Sequence, residues 1–221
     1  MRLTSILTIT TAGLLCAGSL HGQIVATFEE GVDLADFSSN AAAPTSVAFE
    51  AGVNRVIGTV TASGGADVRD YFTFDVGPGQ FLTDIRVVSY ETFSGGSSTP
   101  DPVANTAFAH IDEGTTSVVP AGGTINDFIG GAHINNTATP ATINFLETLA
   151  GAPQGGTGFT APLGEGAYTF NIQQTGPQLS AYTLDFTISD VPEPSTYAAI
   201  FGVVALAGVV VRRRLRARKA A

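Results

Sequence analysis

The chain has 221 residues, ten basic and nineteen acidic, with a formal net charge of −9, one cysteine and no tryptophan. The basic residues sit near the ends: from Gln23 to Asp190 only Arg55, Arg69 and Arg86 stand against eighteen acids, a net −15. So acidic a region argues against nucleic acid or anionic lipid as a partner, and with Cys16 the sole cysteine, nothing downstream of it can form a disulfide or do thiol chemistry.

The first element is an export signal. Met1 and Arg2 form a minimal positive region, Ile6 to Ala17 is apolar, and small residues follow at Ala17, Gly18, Ser19 and Gly22. Residues 1–22 therefore read as a signal peptide cleaved after Ser19 or Gly22, which requires the Sec translocon and signal peptidase. Cys16 opens a lipoprotein alternative, which Leu15 opposes because a small residue is wanted there.

Residues 23–190 form one domain long enough for a real core. Its pattern is β throughout. Asp70–Val76 places Phe72, Phe74 and Val76 on one face and Tyr71, Thr73 and Asp75 on the other. Ala167–Gln173 sets Tyr168, Phe170 and Ile172 against Thr169, Asn171 and Gln173. Ala181–Ser189 alternates most cleanly, with Tyr182, Leu184, Phe186 and Ile188 inward. A period of two is the mark of a half-buried strand. Weaker candidates are Ile24–Phe28, Asn54–Thr61, Leu82–Thr92, Asn105–Ile111 and Thr115–Val119, with one short helix at Ala141–Ala150. Glycine and proline clusters such as Gly77-Pro78-Gly79 and Gly155-Gly156 punctuate them. Many strands without crossover helices predict an all-β antiparallel sandwich of jelly-roll type.

Catalytic motifs are sparse. His21 borders the signal, His110 lies in a strand-like segment and His133 in a glycine-rich loop, with no spacing that suits zinc. His110, Asp112 and a serine could form a triad, and Asp112-Glu113 could serve a glycosidase, but no Gly-x-Ser-x-Gly elbow is present and no tryptophan is available to stack a sugar. No enzymatic activity and no cofactor are expected. Calcium is the one ligand with some support: Asp67 and Asp70 flank a turn, with Asp75 and Asp84 in neighbouring segments. The alternative is that these acids are solvated surface. A carbohydrate-binding module is a further reading, with an extracellular polysaccharide as partner, and its aromatic candidates are Tyr71, Tyr90 and Phe93.

The last element, residues 191–221, has three parts in succession: Pro192, Glu193 and Pro194; an uncharged apolar run from Tyr197 to Val211; and Arg212, Arg213, Arg214, Arg216, Arg218 and Lys219. As a helix the run spans about 22 Å, short for a bilayer core of about 30 Å, with arginine stems able to snorkel. The basic cluster predicts a transmembrane helix with its C-terminus in the cytoplasm.

These three parts resemble the PEP-CTERM sorting domain of Gram-negative bacteria. The resemblance implies export through the inner membrane, transient anchoring there, cleavage by an exosortase near Pro192-Glu193-Pro194, and release to the cell surface or extracellular matrix. A second resemblance rests on DYFTFDVGPGQFLTDIRV and on Leu163, Gly166 and Tyr168 within APLGEGAYTFNIQQ. That succession looks like the bacterial pre-peptidase C-terminal domain and related accessory β-sandwich modules, with a large insertion between Ser94 and Phe159. It implies a fold rather than an activity.

Overall fold

The structure is a computed structural model and describes residues 22–61, 67–93, 99–100, 106–118, 124, 126–135, 143–174, 176, 178–190 and 212. Among these, nine strands form two mixed sheets with almost no helix. The first sheet runs in the order β1 (Ile24–Glu29), β3 (Gly52–Val60), β9 (Leu179–Asp190), β5 (Gln80–Phe93). The second runs β2 (Thr45–Ser46), β4 (Arg69–Val76), β8 (Gly166–Gln174), β6 (Thr106–Glu113), β7 (Gly130–Asn135). The expectation of purely antiparallel pairing is corrected at both N-terminal edges, where β1 pairs with β3 and β2 with β4 in parallel. All other pairs are antiparallel. Parallel pairing arises because β1 and β2 are followed by connections long enough to return the chain before it pairs.

The core lies between the sheets. Alternating residues of β9 (Tyr182, Leu184, Phe186 and Ile188) are buried against Phe72 and Phe74 of β4 and Phe170 of β8. Phe186 meets Phe72 and Phe170 edge-on, at centroid distances of 5.6 and 5.3 Å, the arrangement that aromatic quadrupoles favour. Phe49, from the β2–β3 connection, stacks on Phe74 at 4.6 Å.

The outer face of the second sheet is not simply solvated. Tyr71, Thr169, Asn171, His110 and Asp112 face away from the main core, yet all are buried. Ser38 pairs with Tyr71, and Ile129 donates to the Ile111 carbonyl, so flanking segments lie over this face. Phe128 stacks on His110 at 4.9 Å. Outward alternation on β8 therefore means burial in a second, smaller layer.

Strand β5 contains two register shifts, between Leu82 and Asp84 and between Val87 and Ser89. Each bulge inserts one residue and resets the inward phase, so Leu82, Ile85, Val87, Tyr90 and Thr92 are the buried positions. Helix α1 (Phe145–Ala150) is shorter than the predicted Ala141–Ala150. It packs on β5 and β7, the edge strands on one side of the two sheets. Its N-cap Asn144 accepts from Leu146 N–H (3.0 Å) and Ile85 N–H (3.3 Å) and donates to the Thr83 carbonyl (3.0 Å), tying the helix to the first bulge. No strand forms over Thr115–Val118. His133 belongs to β7 and not to a loop, and is exposed.

Candidate functional site

An acidic groove of about 440 Å³ opens between the β1–β2 connection and residues Ile57 to Thr59 of β3, beside Asp67 just ahead of β4. Its wall carries Glu30, Asp36 and Asp67. Glu30, Asp36 and Asp70 offer carboxylate oxygens that all lie within 4.8 Å of one another. The set grades from outside to inside: Asp36 is exposed, Glu30 and Asp67 are half-buried, and Asp70 is fully buried.

Each acid is held by local chemistry. Asp70 shares the inward face of β4 with Phe72, Phe74 and Val76, so the strand itself drives it between the sheets. Tyr182 of β9 donates its hydroxyl to Asp70 Oδ2 at 2.7 Å, while Oδ1 is buried without a hydrogen-bond partner. The backbone of Asp70 is fixed from the other side, where Asn171 Nδ2 donates to its carbonyl (3.1 Å). Thr61 holds Asp67 by donating both its N–H (2.6 Å) and its hydroxyl (2.7 Å) to the Asp67 carbonyl. Glu30 directly follows β1, and the chain turns through Gly31, whose φ of 73° suits glycine. Its carboxylate accepts from Phe37 N–H (3.1 Å), Thr59 N–H (2.7 Å) and the Thr59 hydroxyl (3.3 Å).

The electrostatics are those of crowded, partly dehydrated acids. Burial, above all, pushes Glu30 up to about 7, against the amide bonds from Phe37 and Thr59, with Asp36 adding to the rise. Burial and the charge of Asp36 push Asp67 up to about 6. Asp70 is raised well above the carboxylate range, by burial first and then by Glu30. Burial and the neighbouring Asp70 likewise raise the Tyr182 phenol. Among the described residues, no cationic side chain answers these acids. Arg55 pairs with Asp185 (2.7 Å), Arg86 with Asp84, and Arg69 donates to Gln173 (3.0 Å).

Asp67 and Asp70, read together from the sequence, thus meet in one site, joined by Glu30 and Asp36 from a segment that sequence reasoning passed over. The available signal was the acid-rich run Glu29-Glu30-Gly31-Val32-Asp33-Leu34-Ala35-Asp36 after a strand. Asp75 is exposed on the opposite face of β4, and Asp84 is taken by Arg86, so neither contributes.

The other candidates separate. His110, Asp112 and Ser117 do meet, but Ser117 Oγ (2.9 Å) and Asp112 Oδ2 (3.3 Å) both address the same ring nitrogen, Nε2. A proton relay needs the nucleophile and the orienting acid on opposite nitrogens of the histidine base. All three residues are buried, so the group packs the second layer. Asp112 is buried and Glu113 exposed, on opposite faces of β6, and they cannot flank one bond. Tyr71 and Tyr90 are buried and Phe93 is half-buried, so these three candidates for carbohydrate stacking form no exposed aromatic row.

The signal segment and the sorting motif Pro192-Glu193-Pro194 lie outside the described residues, as do the apolar run 197–211 and the basic anchor except for exposed Arg212. No helix among the described residues is long and apolar enough to cross a membrane. Comparison with known protein families matches residues 190–214 to the PEP-CTERM protein-sorting motif. No curated protein and no solved structure matches the chain. The chain is therefore a β-rich protein that carries a PEP-CTERM motif. That motif makes it an exosortase target, exported and anchored in the membrane before cleavage.

Proposed function

We propose that this is a non-catalytic protein of the cell surface or extracellular matrix, delivered by its two terminal signals. The signal peptide directs export, the apolar run 197–211 anchors the chain with Arg212 to Lys219 in the cytoplasm, and exosortase cuts near Pro192-Glu193-Pro194. The observation that carries this reading is a boundary: β9 ends at Asp190, where the sorting match begins. Cleavage beyond that point leaves both sheets whole.

The strand order supports the jelly-roll reading of the domain. Strand β3 pairs with β9 and β4 with β8, so early strands pair with late ones in nested fashion. Leu163 bridges to Leu82 on the outer edge of β5, in the place of a fifth strand of that sheet. The likeness to pre-peptidase C-terminal modules rests on the same corner. Tyr168 donates its hydroxyl to the Gly164 carbonyl four residues upstream (3.0 Å), the tyrosine-corner device of Greek-key sandwiches. The shared nitrogen of the His110 group and the split faces of Asp112 and Glu113 favour a non-catalytic domain.

Replacing Pro192, Glu193 and Pro194 with alanine tests the delivery. The wild type is expected at the surface or in the medium and the variant in the inner membrane, measured by fractionation and immunoblot. Equal release of both sinks the proposal.

A further inference from the structure

We propose that Glu30, Asp36, Asp67 and Asp70 form a binding site for a single calcium ion, seated between buried Asp70 and exposed Asp36. This reading is independent of how the protein is sorted.

Three observations converge on it. The first is geometric: two oxygens on opposite sides of a calcium ion, each about 2.4 Å away, are separated by about 4.8 Å. The carboxylates of Glu30, Asp36 and Asp70 fall within that span. The second is Asp70 Oδ1, which is fully buried and lacks any hydrogen-bond partner. An orphaned buried carboxylate oxygen is costly. Its neighbour Oδ2 accepts from Tyr182, while Asp67 Oδ1 is a second buried carboxylate oxygen without a donor. The third is space. Gly58, directly across from Tyr182 in the β3–β9 ladder, lines the groove. A Cβ there would run into the Tyr182 hydroxyl and stand 3.1 Å from Glu30 Cδ. The glycine keeps the carboxylates able to approach one another.

The chemistry selects the ion. All the ligands are hard oxygens, with no histidine or cysteine among them, which disfavours zinc and copper. The groove has room for waters to complete six to eight ligands, and a set running from buried Asp70 to exposed Asp36 suits calcium better than the strict octahedron of magnesium. Glu30 Oε1 accepts only from Phe37 N–H and keeps a lone pair for the ion, whereas Thr59 takes both on Oε2.

The test uses the full chain purified in mild detergent and stripped with chelator. Tb³⁺ serves as the probe, because the chain has no tryptophan and Tyr182 lies against the site as an ultraviolet donor. Tb³⁺ emission is expected to appear on titration and to be displaced by Ca²⁺. Asp36→Asn, at the exposed mouth, is expected to weaken Ca²⁺ at least tenfold with the fold intact. Asp70→Asn abolishes binding while keeping its size and its contact with Tyr182. Asp75→Asn, exposed on the other face of β4, leaves it unchanged. Affinity unaltered in both Asp36→Asn and Asp70→Asn overturns the proposal. So does a rise in melting temperature with Ca²⁺ no larger than with Na⁺ at matched ionic strength, which is general screening.

Discussion

Gly58 stands opposite Tyr182 in the β3–β9 ladder, and the Tyr182 phenol occupies the space that a side chain on Gly58 would need. The absence of one methyl group thus sets where the phenol rests, and through it where Asp70 Oδ2 finds its donor.

Gly58→Ala is expected to displace the phenol and to destabilise the fold by about 1–3 kcal/mol, the usual cost of overpacking. Urea titration measures it. Tyr182→Phe removes the donor and leaves both Asp70 oxygens unsatisfied, with an expected loss of about 1–3 kcal/mol. If Gly58→Ala proves as stable as the wild type, the close approach is not constraining.

In metal-free buffer, stability is expected to fall as pH rises. Glu30 and Asp67 titrate near 7 and 6 in the folded chain, above their ordinary values of 4.5 and 3.8. The folded state therefore holds more protons than the unfolded state between those limits. Their contribution is fully present below the unfolded values and disappears as pH passes through about 7. Asp70, raised well above its ordinary value by burial first and then by Glu30, contributes in the same direction. Thermal melts from pH 4.5 to 8 read the trend, and a midpoint that climbs steadily with pH would contradict it.

Asn144→Ala is expected to cost more than an ordinary cap. Losing the bond to Leu146 alone is worth about 1 kcal/mol. Asn144 also joins α1 to Ile85 and Thr83 at the β5 bulge, so the total should reach about 2 kcal/mol. Hydrogen exchange at Ile85 should quicken in the variant. Exchange unchanged there would show that the bulge is held without the helix.

Legibility in the sequence followed the regularity of the ladder. Strands β4, β8 and β9 alternate without interruption and were plain. In β5 the bulges after Leu82 and Val87 break the phase twice, which weakens a period-two reading. Strand β7 hid behind its glycines. Gly130 lies against the Leu149 carbonyl and Gly131 against Phe128, so close packing selects the residues that otherwise signal a loop. At the site, Asp70 could be placed inward from the parity of Phe72 and Phe74. Glu30 and Asp36 could not, because their approach depends on how the β1–β2 connection crosses from one sheet to the other.

Strand β9 lies inside its sheet, bonded to β3 on one flank and β5 on the other. While the tail is held in the membrane, any tension on the domain enters at Asp190, the last residue of that strand. The ladder hydrogen bonds run across the strand, so a pull along it loads two rows at once in shear and cannot unzip them one at a time. A tether fixed to an edge strand would peel. This one hangs the domain from an interior beam, and drag on the anchored chain is spread through the sheet before any part of it yields.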